Sequence, residues 1–248
     1  MTELGGLYAI WEREVLVYFR ERSRVVSAVI NPLLWLVIYG TGIGSQISVP
    51  GTSYQTYIFP GVIVMTLIFS SIFYGASIVW DKKIDFLKEV LVAPVRRSTA
   101  FLGKVAGGAT DGLIQATIIL ALSPFFGISL GLSLVLVYLS MIILLTGLVS
   151  IGLIIGSVME SSEGFSLIGG FIVFPLFFLS GALFPVNGLP DWLRLLTTVN
   201  PVSYGVDALR GLLLGTYSFG LATDLSVLTL FAVVMVALGS WAFDRMKI

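Results

Sequence analysis

Long runs without a single charged side chain alternate with short charged clusters along this chain. Asp, Glu, Lys and Arg are absent from Val25 through Trp80 and again from Gly112 through Met159. One helical crossing of a bilayer needs about 20 residues, so each gap has room for two. The polar break SQISVPGTSYQTY (45–57) divides the first gap and predicts spans near 25–44 and 57–80. The break GISLGLS (127–133) divides the second and predicts spans near 104–126 and 133–158. A fifth span is expected near 165–184 and a sixth near 221–243, ending at WAFDRMKI. The first run is of full span length and has no small-x-small cleavage pattern before Gln46, so it is expected to be retained.

Ahead of the first run the periodicity is that of an amphipathic helix. Leu4, Leu7, Tyr8, Trp11, Val15, Tyr18 and Phe19 share one face, with Glu12, Arg13 and Arg20 off it. A helix lying in the membrane interface over residues 1–24 is expected, with an extended cytoplasmic lead-in as the other reading.

Composition agrees with the pattern. Of 248 residues, 57% are hydrophobic and 11% charged, where soluble domains carry about a quarter charged. The expected fold class is therefore an all-α integral membrane domain of six transmembrane helices. The formal charge is zero, with 14 basic and 14 acidic side chains, so nothing suggests a nucleic-acid partner. Cysteine and histidine are absent, which removes disulfides, thiolate chemistry, histidine acid–base catalysis and the usual zinc sites. With a cytoplasmic N-terminus, twelve basic residues fall inside and only Arg194 and Arg210 outside. That bias predicts both termini in the cytoplasm.

Four features stand out as functional candidates. The segment DKKIDFLKEVLVAPVRRSTAFLGK (81–104) places Ile84, Leu87 and Leu91 on one helical face, and Pro94 ends the helix. It reads as a helix that docks on a partner, or as an ordinary charged loop at the headgroups. Asp111 is expected inside the third span, where a carboxylate is costly. It lines a pathway, or pairs with Lys104 or a nearby backbone group. Asp224, Glu160 and Glu163 lie near span ends and read as interfacial. Gly103-x-x-x-Gly107, Gly108-x-x-x-Gly112 and Gly152-x-x-x-Gly156 permit close helix packing, within one subunit or between two. Finally, residues 178–215 are too apolar for an external loop and too broken by Pro185, Pro190 and Pro201 for a span. Two short helices, near 189–198 and 202–214, are expected either re-entrant or interfacial. A nucleotide-binding P-loop is missing: Val105 follows Gly103-Lys104, and Ser98 stands where the upstream glycine belongs.

The pattern resembles the membrane subunit of ABC-2 type exporters, the family of drug-resistance, polysaccharide and nodulation-factor permeases. The resemblance covers nearly the whole chain. Its most specific part is FLSGALFPVNGLPDWLRLLTTVNPVSYGVDALRG (178–211), with Ser180-Gly181, Pro185, Leu189-Pro190, Trp192, Asn200-Pro201, Tyr204, Asp207 and Arg210 at family positions. The second part is LKEVLVAPVRRSTAFLGK (87–104), with Glu89, Leu91, Pro94 and Lys104. The glycine-threonine common earlier in that segment is replaced around Ile84-Asp85-Phe86.

The resemblance implies a single permease domain over 1–248. Residues 81–94 would form the coupling helix on a separate ABC ATP-binding subunit, with Asp85, Leu87, Glu89, Leu91, Pro94 and Arg96 in the contact. Residues 186–215 would cap the external exit, with Ser180, Gly181, Leu183, Phe184, Pro185, Asn200, Pro201, Tyr204, Asp207 and Arg210 along the substrate path. Two permeases, identical or related, would work with two ATPase copies in the cell (plasma or inner) membrane. This chain itself would be no enzyme and hold no cofactor or metal, ATP and Mg²⁺ belonging to the partner. The expected cargo is hydrophobic or amphipathic: drug-like, lipid-like or a glycolipid. The alternative is an ion-coupled secondary transporter using Asp111.

Overall fold

The computed structural model describes residues 2–42, 44, 52–85, 95–186 and 189–246, without the side chains of 22–25 and 27–29. The fold is helical, with no β-strand among the described residues. In chain order the helices are α1 (Glu3–Arg20), α2 (Arg22–Gly42), α3 (Tyr54–Tyr74), α4 (Ala76–Lys83) and α5 (Arg97–Leu120). A short 3₁₀ turn, Ser123–Phe126, precedes α6 (Leu134–Val158) and α7 (Ser162–Phe178). The short α8 (Asp191–Val199) and α9 (Pro201–Leu214) lead into α10 (Leu221–Asp244).

Among the described residues, three stretches are long and apolar enough to cross a membrane: Tyr54–Lys83, Leu134–Val158 and Leu221–Asp244. Ile30–Gly42 and Ser162–Phe178 are apolar but shorter. The expected fourth and sixth spans coincide with α6 and α10 to within a residue. Others differ. The second expected span is two helices, because the chain turns at Gly75 between α3 and α4. The third starts at Arg97, not near 104, since its first two turns carry Arg97 and Lys104 and so lower the hydropathy without breaking the helix. The fifth ends at Phe178, and Leu179–Gly181 already form the next turn, with Gly181 at φ 71 in the left-handed region that glycine tolerates.

The core is built around α3. Every residue from Tyr57 to Ile68 is buried, and the helix carries no charge. A helix that is apolar all round belongs inside a bundle, and α3 is packed by α2, α5, α6, α7 and α9. The outward helices show the reverse pattern. On α7, Leu167 and Phe171 are exposed, as are Leu230 and Val233 on α10. α1 lies along α5, and α10 lies along α6.

Glycines set these crossings. A Cβ on Gly103 would stand 2.9 Å from the Ile10 side chain, and one on Gly107 would stand 2.6 Å from that of Glu14, so the first small-residue pair seats α1. Gly108 faces the Tyr74 ring, and Gly112 faces Leu145. The third pair is tighter. A Cβ on Gly152 would come within 2.6 Å of the Ile72 carbonyl oxygen, and one on Gly156 within 2.2 Å of that of Gly75. The α3–α4 turn therefore rests on α6 backbone to backbone. All three glycine pairs serve contacts within this chain.

Gly152→Val is expected to lower the unfolding temperature of the detergent-purified protein, at a cost of about 1–3 kcal/mol or more from overpacking. Gly170→Ala, where a Cβ meets nothing within 4 Å, is expected not to lower it. Equal behaviour of the two variants in a thermal melt would contradict the backbone crossing.

Candidate functional site

Two polar clusters occupy opposite ends of α3–α4. The first is made by α1, α4 and α5. Trp11, Glu14 and Tyr18 follow one another at helical spacing on the face of α1 turned to the bundle, and Trp11 Nε1 donates to Thr110 Oγ1 at 3.0 Å. Glu14 and Tyr18 are buried, while Leu4, Tyr8 and Phe19 of the expected apolar stripe are exposed. The expected stripe is thus split: Trp11 and Tyr18 pack inward with Glu14, while Leu4, Tyr8 and Phe19 point outward.

Lys104 is 1% exposed, and its Nζ donates to Glu14 Oε1 at 2.8 Å and Asp81 Oδ2 at 2.6 Å. Arg13 Nη1 donates to Glu14 Oε1 at 2.7 Å, and Nη2 to Asp81 Oδ1 at 2.8 Å. Two cations and two anions thus alternate from three helices. Burial pushes the Glu14 carboxyl up, but the Lys104 and Arg13 charges outweigh it and hold the group below 4.5. Burial likewise works against the Arg13 guanidinium, and its bonds to Asp81 and Glu14 raise it above its ordinary value. A cavity of about 330 Å³ adjoins the cluster and reaches Tyr74, Trp80, Asp111 and Ser162. Asp111 is buried there at 3% exposure, while the Lys104 ammonium goes to Glu14 and Asp81.

The neighbouring residue extends the cluster. Lys82 Nζ donates to the carbonyls of Gly156, Ser157 and Met159 at 3.2, 2.5 and 3.1 Å, placing a cation on the negative end of α6. At the start of α5, Arg97 Nη1 donates to the carbonyls of Asp244 and Met246, at the end of α10. The Glu3 carboxylate accepts from Arg96 N at 3.3 Å and from the Thr99 hydroxyl. Of the expected docking residues, Asp85 lies in the turn after α4 with φ 58, and Arg96 is the N-cap of α5. Leu87, Glu89, Leu91 and Pro94 lie outside the described residues.

The second cluster contains every residue expected at the cap. Asn200 caps α9 by accepting from Val202 N at 3.0 Å, and its Nδ2 donates to Leu176 O at 2.8 Å. Pro201 follows as the first helical residue, where a missing N–H costs nothing. Tyr204 donates to Thr198 O, which ties α8 to α9. Ser180 donates to Phe177 O and closes the turn after α7. Leu183 O accepts from Tyr54 of α3 at 3.0 Å, and Phe184 packs on the main core. Pro185 lines a cavity with Arg210. Asp207 accepts from the N–H groups of Ser218 and Phe219, at 2.7 and 2.8 Å, ahead of α10. Arg210 Nη2 donates to Gly181 O at 3.0 Å and Ala182 O at 3.3 Å, and its guanidinium stands 4.1 Å over the Tyr57 ring.

The two short helices differ. In α9, Val202 through Gly211 are buried, whereas α8 buries only Thr197 and exposes Trp192, Leu195 and Val199. Asp224, expected near a span end, lies on the first turn of α10 and is buried against protein beside Asp207. Glu14 was not legible as a candidate either. The available signal was its register, three residues after Trp11 and four before Tyr18, which puts a carboxylate on the packed face.

The described residues thus form a helical bundle in which some helices are long and apolar enough to cross a membrane, with polar clusters at the two ends of α3–α4. The comparisons with known proteins give the family. The ABC-2 type transporter family description matches residues 6–214, and the chain belongs to that family. It is 31% identical over 231 residues to the inner membrane transport permease YadH of Escherichia coli, covering 92% of this chain and 90% of that protein. It is 27% identical over 232 residues to nodulation protein J of Rhizobium meliloti, covering 91% and 88%.

Lys104→Met leaves Glu14 and Asp81 buried without their ammonium and is expected to cost about 3–5 kcal/mol, read as lost resistance to thermal unfolding. Acid acts on the same cluster. Glu14 is held below its unfolded value of 4.5, so its contribution is complete above about that pH and is lost as pH falls through the lower folded value. Thermal melts from about pH 7 to about pH 3 are expected to show this loss, with a shallower acid slope in Glu14→Gln. Identical slopes would remove Glu14 from the cluster's energetics.

Proposed function

We propose that this chain is the permease subunit of an ATP-driven exporter that moves a hydrophobic or amphipathic compound, drug-like, lipid-like or a glycolipid, out across the cell membrane. Two copies of the chain, or one with a related permease, work with two ATP-binding subunits that hold ATP and Mg²⁺. α2, α3–α4, α5, α6, α7 and α10 are the six crossings, α1 is the connecting helix in the cytoplasmic interface, and both termini are cytoplasmic. α8 and α9 cap the exit, with α9 inserted into the bundle. Residues 81–94 seat on the ATP-binding partner.

The observation that carries this reading, beyond family membership, is how residues 86–94 are flanked. On the entering side, Asp81 bonds α1 and α5, and Lys82 holds the end of α6. On the leaving side, Arg96 and Arg97 are bonded to α1 and α10. The residues on either side of this segment are therefore tied to four helices through bonds of about 3 Å. Closure of the partner pair displaces 81–94, and the displacement reaches the cap through α3, whose outer end bonds Leu183 through Tyr54.

Reconstitution with and without the cognate ATP-binding subunit tests the reading; equal substrate movement in the two vesicle preparations would defeat it. Glu89→Arg, and separately Pro94→Ala, are expected to weaken co-purification of that subunit while membrane insertion stays intact. Transport that runs on a proton gradient without ATP and is abolished by Asp111→Asn would replace the exporter with an ion-coupled transporter.

A further inference from the structure

At the outer end of the bundle a half-open cavity of about 650 Å³ lies among α3, the loop before α6, the turn after α7 and α9. Its volume is within the range of small-molecule sites, about 300–1,000 Å³. One part of its wall is apolar, from Leu213 and Leu214, and another carries the hydroxyls of Thr56, Ser129 and Thr216. Arg210 joins the two.

Arg210 is 5% exposed, yet it forms no salt bridge among the described residues. Its Nη2 is used by the carbonyls of Gly181 and Ala182, its face is covered by Tyr57, and its Nε–H bonds nothing. The nearest acid on its own helix, Asp207, spends its oxygens on the N–H groups of Ser218, Phe219 and Gly220. Guanidinium has five donors in a fixed fork that matches a carboxylate or phosphate. A cation this deeply buried is costly unless an anion completes it. The neutral carbonyls and the ring hold the group in place, and the Asp207 carboxylate, with no salt bridge to it, offsets its charge only through space.

We infer that this cavity binds the anionic head group of an amphipathic molecule, with a carboxylate or phosphate at Arg210, hydroxyls around the polar body and Leu213 and Leu214 against the start of the tail. The inference deepens the export reading by naming the chemistry of a cargo head group at the outer end of the path.

The test uses the full chain in phosphatidylcholine nanodiscs and radiolabelled dodecyl phosphate, with binding to empty nanodiscs subtracted. Saturable binding is expected, displaced by dodecyl glucuronide at a concentration at least about ten-fold lower than by dodecyl glucoside, as one charge-assisted contact implies. Arg210→Gln is expected to abolish that difference. Because Arg210 also holds the 181–182 turn, Leu214→Trp serves as a second variant, narrowing the cavity without touching a bond of Arg210; it is expected to lose binding at least about ten-fold too. Equal displacement by the charged and neutral glycosides overturns the inference, as does undiminished binding in Leu214→Trp. Displacement by inorganic phosphate as effective as that by dodecyl glucuronide overturns the amphiphile and leaves a free-anion site. Transport that proceeds equally without the ATP-binding subunit sinks the export reading but leaves this binding result standing, so the two failures are distinct.

Discussion

The alternation of Arg13, Glu14, Asp81 and Lys104 is the constraint on which one half of the molecule depends. Lipid tails are as apolar as leucine, so apolar contact alone gives a membrane helix little reason to choose one neighbour or one register. Charges remove that freedom. Lys104 is 1% exposed, and Glu14 and Asp81 are 3% exposed. Each pays a desolvation penalty that only its opposite charges recover. A slip of α1 along α5 by one residue would rotate Glu14 away from Lys104 and leave the buried ammonium with Asp81 alone. The cluster therefore specifies the position of α1 more than it adds stability, and Gly103 and Gly107 allow α1 to come close enough for it to form.

The rest of that half follows from that fixed point. Asp81 and Lys82 are adjacent, so on α4 their side chains diverge by about 100°. One reaches α1 and α5, the other the end of α6. The Gly75 turn lets α4 take the direction that both bonds need. Its close approach to Gly152 and Gly156 leaves no space for any side chain between the backbones. The Lys82 bonds at the end of α6 and the bare backbone at the crossing thus both hold α4 to α6.

What the sequence makes legible follows from which residues do the holding. α6 and α10 read correctly almost to the residue because they are uniformly apolar and bounded by turns or charges. The two short helices α8 and α9 also read well. Asn200-Pro201 is a helix start by local chemistry alone, and Arg210 and Asp207 prove to be its fasteners. The misreadings share one cause. Hydropathy treats a charge as a boundary, so Lys104 seemed to lie at the start of a span when it lies two turns inside α5. Glu14 gave no hydropathy signal at all, and Asp224, at a span end, gave none of its burial against protein. Whether a charge is solvated depends on the partner that tertiary structure brings to it, and for Lys104 those partners are 90 and 23 residues away.

One continuous element joins the two polar clusters. From Tyr54 to Lys83 the 30 residues of α3 and α4 would extend about 45 Å if straight. At one end Tyr54 bonds Leu183, Tyr57 lies under Arg210, and Gly61 meets the Ala182 backbone. At the other, Asp81 and Lys82 hold α1, α5 and α6. Between them α3 is buried on every side and bears on α6 at Gly75. A close-packed interior transmits displacement instead of absorbing it. Motion imposed near Asp81 therefore has few outlets other than a shift of the Tyr54 end of α3, where Arg210, Gly181 and Ala182 converge. The two clusters are far apart in space but are mechanically the two ends of one helix pair. That arrangement explains why an otherwise charge-free element ends in Asp81 and Lys82, while its Tyr54 end meets a buried arginine.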